Sequence, residues 1–108
     1  MMQELKDKVV IVVGAAGATG AAVAKAFVKN GAKVVIADIR KAELDKVAED
    51  LKKLGAVEAV EVDVRNMDSV HAMVEKAVSL YGGLDAMVNA AGVMGNIAHR
   101  AELQDYDD

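Results

Sequence analysis

Val9-Val10-Ile11-Val12-Val13-Gly14-Ala15-Ala16-Gly17-Ala18-Thr19-Gly20 decides the fold. Five consecutive β-branched residues suit a strand covered on both faces, as in a parallel sheet. The three glycines that follow recur every third residue, so the backbone can turn sharply and approach a ligand with no Cβ in the way. A helix starting there points unpaired N–H groups and its positive dipole end at whatever lies in front, which favours an anion. A glycine loop alone is weak evidence, but three further elements accompany it. Asp38 ends the next strand, Asp63 the third, and Asn89-Ala90-Ala91-Gly92 the fourth.

Outward from that loop the chain alternates strand and helix. The pattern predicts a first strand over residues 8–13, a helix over 18–30 stopped by Gly31, and a second strand over 33–37 ending at Asp38. Leu44, Val47, Ala48, Leu51 and Leu54 form the i, i+3, i+4, i+7 stripe of a second helix, closed by Gly55. A third strand is expected over residues 57–62. The third helix, capped by Asn66 or Asp68, carries Val70, Met73, Val74, Ala77, Val78 and Tyr81 on one face and ends at Gly82-Gly83. Residues 84–89 read as a fourth strand, and residues 92–108 as a polar, acidic tail. Repeated βα units with short connections imply right-handed crossovers and a parallel sheet with helices on both faces. The expected fold is therefore α/β, a Rossmann-like three-layer αβα domain with a four-stranded parallel sheet in the order 3-2-1-4. In such sheets ligands bind at the carboxyl ends of the strands, where the order reverses between strands one and four.

Composition narrows the classes of partner. With 108 residues the chain is long enough for one core, and its 54% hydrophobic content with 3% aromatic residues points to small aliphatic packing. A net charge of −4 argues against nucleic acid or an anionic membrane surface as partner. The absence of cysteine excludes disulfides, thiolate metal sites and a cysteine nucleophile. No signal segment and no bilayer-length apolar run is visible, so a cytoplasmic setting is expected. His71 and His99 have no second ligand at metal-binding spacing.

The chemistry follows from position. Asp38 lies 24 residues after Gly14, near the spacing at which a carboxylate accepts hydrogen bonds from an adenosine ribose. Its charge would repel a 2′-phosphate, which favours NAD over NADP. Arg40, two residues on, complicates that preference because a guanidinium can clamp a phosphate. Asp63 either receives the adenine amino group, with the backbone around Val64 along the ring, or is a turn acid before the third helix. Asn89 suits a role in holding strand ends, with Ala90, Ala91 and Gly92 small enough to admit a ribose and nicotinamide. A phosphotransfer receiver would need paired acids where Ala15-Ala16 stand, and a Walker-type site would need Gly-Lys-Ser/Thr where Gly20-Ala21-Ala22 stand.

These residues together resemble the short-chain dehydrogenase/reductase family over essentially the whole chain. The resemblance implies a dinucleotide cofactor, with Gly14, Ala16, Gly17, Ala18, Thr19, Gly20, Asp38, Ile39, Arg40, Asp63, Val64, Asn89, Ala90, Ala91 and Gly92 as its contacts. In one respect the loop departs from the commonest family pattern, having Ala18 at the middle glycine and Val13 where a Thr is usual. Its G-x-x-G-x-x-G spacing looks like the extended or atypical branches, while the other motifs look like the common one. A second departure concerns catalysis. Family chemistry uses an Asn, a Ser and a Tyr-x-x-x-Lys beyond the Asn-Ala-Ala-Gly element. Here the serines are Ser69 and Ser79, Tyr81 is followed four residues later by Asp85, and Tyr106 is followed by Asp107 and Asp108. The chain resembles the front half of such an enzyme, a cofactor-binding module without catalytic residues of its own. Two alternatives stand beside it: an oxidoreductase completed in trans, and a purely structural minimal fold. The unprotected apolar fourth strand leads to the expectation of a homo-oligomer formed through it.

Overall fold

The computed structural model describes residues 5–90; Ala91, Gly92, His99, Tyr106 and the rest of the acidic tail lie outside the described residues. The elements run β1 (Val9–Val13), α1 (Ala18–Lys29), β2 (Lys33–Asp38), α2 (Lys41–Lys52), β3 (Val57–Glu61), α3 (Met67–Tyr81) and β4 (Ala86–Asn89). All neighbouring strands are parallel, in the order β3-β2-β1-β4. The expected Rossmann-like architecture is therefore the one observed.

Why β1 is apolar throughout is visible in its surroundings. Period-two alternation divides it between two cores, because successive side chains leave opposite faces of the sheet. Val10 and Val12, with Val34 and Ile36 of β2, pack under α1 and α2 against Ala24, Val28, Leu44, Ala48 and Leu51. Val9, Ile11 and Val13, with Val35 and Ala37, pack under α3 against Met73 and Ala77. Each buried Val, Ile, Leu or Met among these stabilises the fold by roughly 1.5–3 kcal/mol relative to exposure, and each alanine by less.

Helix ends follow local chemistry. Asn66 caps α3, its side chain accepting from the N–H groups of Asp68 and Ser69, and Gly82 ends the helix at φ 86°, where glycine carries no steric penalty. Two expected stripe members fall outside the cores. Leu54 lies two residues past the end of α2 and is 47% exposed, and Val78 sits at the margin of α3's buried face at 45%. The strand ends also shift inward. Lys8 turns back to Leu5 through its N–H, and Val62 leaves β3 to donate to the Asp38 carbonyl. Leu84 and Asp85 precede β4: the Asp85 carboxylate accepts from Val9 N–H at 2.8 Å while its own N–H donates to the Val9 carbonyl at 2.8 Å. This reciprocal pair docks the entry of β4 on the start of β1.

Register places the carboxyl ends side by side. Val13 stands opposite Ala37 on one side and Asn89 on the other, and Asp38 stands opposite Glu61. The glycine loop, Asp38, Asp63 and Asn89 therefore emerge at one edge of the sheet.

Candidate nucleotide-binding site

The loop after β1 is held by backbone bonds. Gly14 adopts φ 85°, a left-handed conformation that side chains disfavour. That turn lets the N–H groups of Gly14 and Ala15 both donate to the Ala37 carbonyl, at 2.8 and 3.1 Å. Gly17 is the N-cap of α1 at φ −83°, with no side chain capping the helix and no acid in its first turn. The helix thus begins with an open, positive end at Ala18 and Thr19. Gly20 has a different task. A Cβ there would lie 2.1 Å from the Gly14 carbonyl oxygen, so only glycine lets α1 seat against the loop.

Asp38 is the one buried charged residue among the described residues, 6% exposed. Its Oδ2 accepts from Ala16 N–H at 3.0 Å and its Oδ1 from Arg40 N–H at 2.9 Å. The Arg40 guanidinium adds Nε to Oδ1 at 3.3 Å and Nη2 to Oδ2 at 3.4 Å. Burial alone would raise the carboxyl's pKa, but the combined hydrogen bonds from Arg40 and Ala16 and the guanidinium charge hold it below the ordinary value. So Asp38 is charged at neutral pH and ties the glycine loop to the end of β2.

Asp63 repeats that design. Its Oδ1 accepts from Arg65 N–H and Arg65 Nε, both at 3.0 Å, and its Oδ2 from Nη2 at 3.1 Å. Asp63 N–H itself donates to Ser69 Oγ at 2.9 Å. Asp38-Ile39-Arg40 and Asp63-Val64-Arg65 are thus the same Asp-apolar-Arg turn, set at the ends of adjacent strands. Each carboxylate is engaged by its own arginine. The apolar residues between them, Ile39 and Val64, are each 51% exposed.

Among the described residues, two adjoining clefts at this edge bear on the site. One, of about 260 Å³, is lined by Ile39 and Val64, by Val13 and Val62, and by both aspartates and Arg65. The other, of about 430 Å³, is lined by Gly14, Gly17, Ala18, Thr19 and Gly20 with Asp38, Arg40 and Ala90. They adjoin at Gly14 and Asp38. Ala90 is buried and its N–H donates to the Val13 carbonyl at 2.8 Å; Asn89 is the last residue of β4. Ala16 joins the group through its N–H to Asp38. Sequence reasoning missed Arg65 and Val62. The repeated Asp-Ile-Arg and Asp-Val-Arg triplets were the signal available for the first. Among the described residues, no group of three or more His, Asp or Glu side chains is placed to hold a metal ion.

Because Asp38's pKa is depressed in the folded chain, its stabilisation is present above the unfolded value of about 3.9 and lost as pH falls through the folded value. Asp38→Asn should therefore flatten the fall of the urea midpoint below about pH 4. An unchanged acid limb would show that Asp38 is not the group whose protonation loosens the loop.

A parallel β3-β2-β1-β4 sheet with a glycine loop after β1 and an acid ending β2 defines a Rossmann-type dinucleotide fold. Comparison with known proteins narrows this further. The family model for short chain dehydrogenases matches residues 8–108, and the chain belongs to that family. It is 33% identical over 102 residues to 3beta-hydroxysteroid dehydrogenase 2 of Eggerthella lenta, covering 94% of this chain and 39% of that protein. To an uncharacterized oxidoreductase of Thermotoga maritima it is 44% identical over 91 residues, covering 83% and 36%. Among solved structures, a short chain dehydrogenase from Mycobacterium smegmatis superposes with a TM-score of 0.76 at 39% identity, covering 81% of this chain and 38% of that one. A hydroxysteroid dehydrogenase from Escherichia coli gives 0.76 at 30% identity, covering 79% and 35%. The chain spans about two-fifths of the length of such relatives. The family is one of oxidoreductases that use NAD(P) cofactors. No helix among the described residues is long and apolar enough to cross a membrane.

Proposed function

We propose that this chain is an NAD(H)-binding module and performs no dehydrogenase turnover by itself. The observation that carries this reading is the acid-free, uncapped start of α1 behind a glycine loop that the charged Asp38 holds in place. The pyrophosphate would lie at Gly17, Ala18 and Thr19, where backbone N–H groups and the helix dipole meet it. Asp38 would face the adenosine ribose, and its charge favours NAD over NADP. The adenine would enter the cleft between Ile39 and Val64, with Asp63 at its edge, and the nicotinamide side would extend past Asn89, Ala90, Ala91 and Gly92. The nicotinamide ring supplies hydride chemistry when bound, but a carbonyl substrate also needs a proton donor at its oxygen. No Tyr-x-x-x-Lys is present in the chain to provide one. Titration with NADH, followed by its own fluorescence in this tryptophan-free chain, should saturate. A panel of ketones should show no cofactor-dependent reduction. Reduction that disappears with Asp38→Ala would favour an enzyme assembled from more than one chain.

The same reading includes a cytoplasmic setting and self-association through β4. Ala86, Met87 and Asn89 are exposed, Met87 by 52%, and the strand carries no lysine, proline or bulge to protect it. Light scattering over a dilution series should show a dimer or larger species; a monomer at high concentration would remove self-association.

A further inference from the structure

Leu54 is half in water at the mouth of an apolar groove. The groove, of about 430 Å³, lies between α1 and α2. Ala21, Ala22 and Lys25 line its α1 side, and Val47, Asp50 and Leu54 line its α2 side over the buried Leu51. It shares no residue with the two clefts of the nucleotide site or with β4. The two sides carry opposite charges. Lys25 and Asp50 are both exposed, and among the described residues neither is in an ion pair within the chain. By contrast Lys41 and Asp45 of α2 close on each other at 2.8 Å. Lys53, the C-cap of α2, also lines the groove beside Leu54.

We infer that this groove is a self-association surface, closed by the same groove of a second copy about a two-fold axis running along it. The direction of the axis follows from the topology. Each of α1 and α2 joins two parallel strands, so both helices run the same way, against the strands. A two-fold along the groove therefore sets the α1 side of each copy against the α2 side of the other. Lys25 then meets Asp50 twice, once on each side of the axis. A two-fold across the groove would set lysine against lysine and is disfavoured by that repulsion. Closure also takes Val47 and Leu54 of both copies out of water, which supplies the apolar part of the gain. The patch is self-complementary in charge, and that is why a second copy fits it better than a peptide of one sign.

Sedimentation velocity on the 108-residue chain carrying Met87→Lys tests this, because the added charge protects the β4 edge and leaves the groove alone. A reversible dimer should remain. Adding Asp50→Lys sets lysine against lysine. The two-fold makes that change count twice, and repulsion replaces attraction, so association should weaken about tenfold. Adding Lys25→Asp to that variant restores opposite walls and should recover most of the loss. A chain merely damaged by Asp50→Lys would not recover. A Met87→Lys chain that stays monomeric at millimolar concentration overturns the inference and gives the groove to some other partner. A dimer that ignores both charge changes overturns it equally. Neither result bears on NADH binding, since the groove and the nucleotide clefts have no residue in common.

Discussion

Gly17→Val is expected to remove nucleotide binding while the chain keeps its fold. Gly17 sits at φ −83° and ψ 164°, an extended conformation that valine adopts freely. Among the described residues, a Cβ there meets only Arg40 Nη2 at 3.5 Å and the Gly14 carbonyl oxygen at 3.7 Å, which is ordinary contact. Valine is a poor N-cap compared with glycine, so the melt should shift by no more than about 1 kcal/mol of stability. The branched side chain, however, projects into the cleft where the pyrophosphate would lie against the N–H groups of Ala18 and Thr19. Affinity for NADH should fall by about two orders of magnitude, or below detection. Equal binding by the variant would place the ligand elsewhere.

Three residues further on, the same kind of change has the opposite consequence. Gly20→Ala should damage the fold itself. The added carbon would stand 2.1 Å from the Gly14 oxygen, 2.7 Å from the Gly14 carbonyl carbon and 2.9 Å from Ala15 Cα. All three are backbone atoms, so no side chain can swing aside. The helix must lift from the loop, and with it Ala24 and Val28, which pack on Val10 and Val12. Overpacking typically costs about 1–3 kcal/mol, and backbone against backbone belongs at or beyond the upper end. Inside a helix, alanine would otherwise gain roughly 1 kcal/mol over glycine, so a net loss isolates the steric term. Urea denaturation gives the value. A variant as stable as the parent would mean that α1 is not seated on the loop as described.

Those two glycines also show what was legible in the sequence. Period three in Gly14, Gly17 and Gly20 marked a turn with close approaches, but not which glycine serves the ligand and which the fold. That division depends on where Gly14 points its carbonyl, a consequence of its φ of 85° and its ties to Ala37 across the sheet. Cover on both faces of β1 was readable from its unbroken apolar run, and Val9–Val13 divides between two cores accordingly, whereas the strand order was readable from the glycine loop after β1 and the acid ending β2. Asp38 was readable by spacing alone. Its bond to Ala16 joins residues 22 positions apart, and no local pattern encodes it. Leu54 and Val78 fitted helical stripes, yet a stripe does not say how far the covering sheet extends, and both are nearly half exposed. Arg65 went unremarked because a single arginine after a strand reads as surface; only its likeness to Arg40 reveals the repeated turn.

The central claim is that a dinucleotide binds along the carboxyl edge of the sheet, with the glycine loop on its phosphates. At 11.3 kDa the chain suits amide-resolved NMR, and titration with NADH reads every N–H in question. The shifts should concentrate at Gly14–Gly20, at Asp38–Arg40, at Asp63–Arg65 and at Asn89 and Ala90. The amides of Gly31, Gly55 and Gly82, at or just beyond the far ends of the helices, should stay still. Shifts confined to the opposite edge, or spectra unchanged by millimolar NADH, would contradict the account.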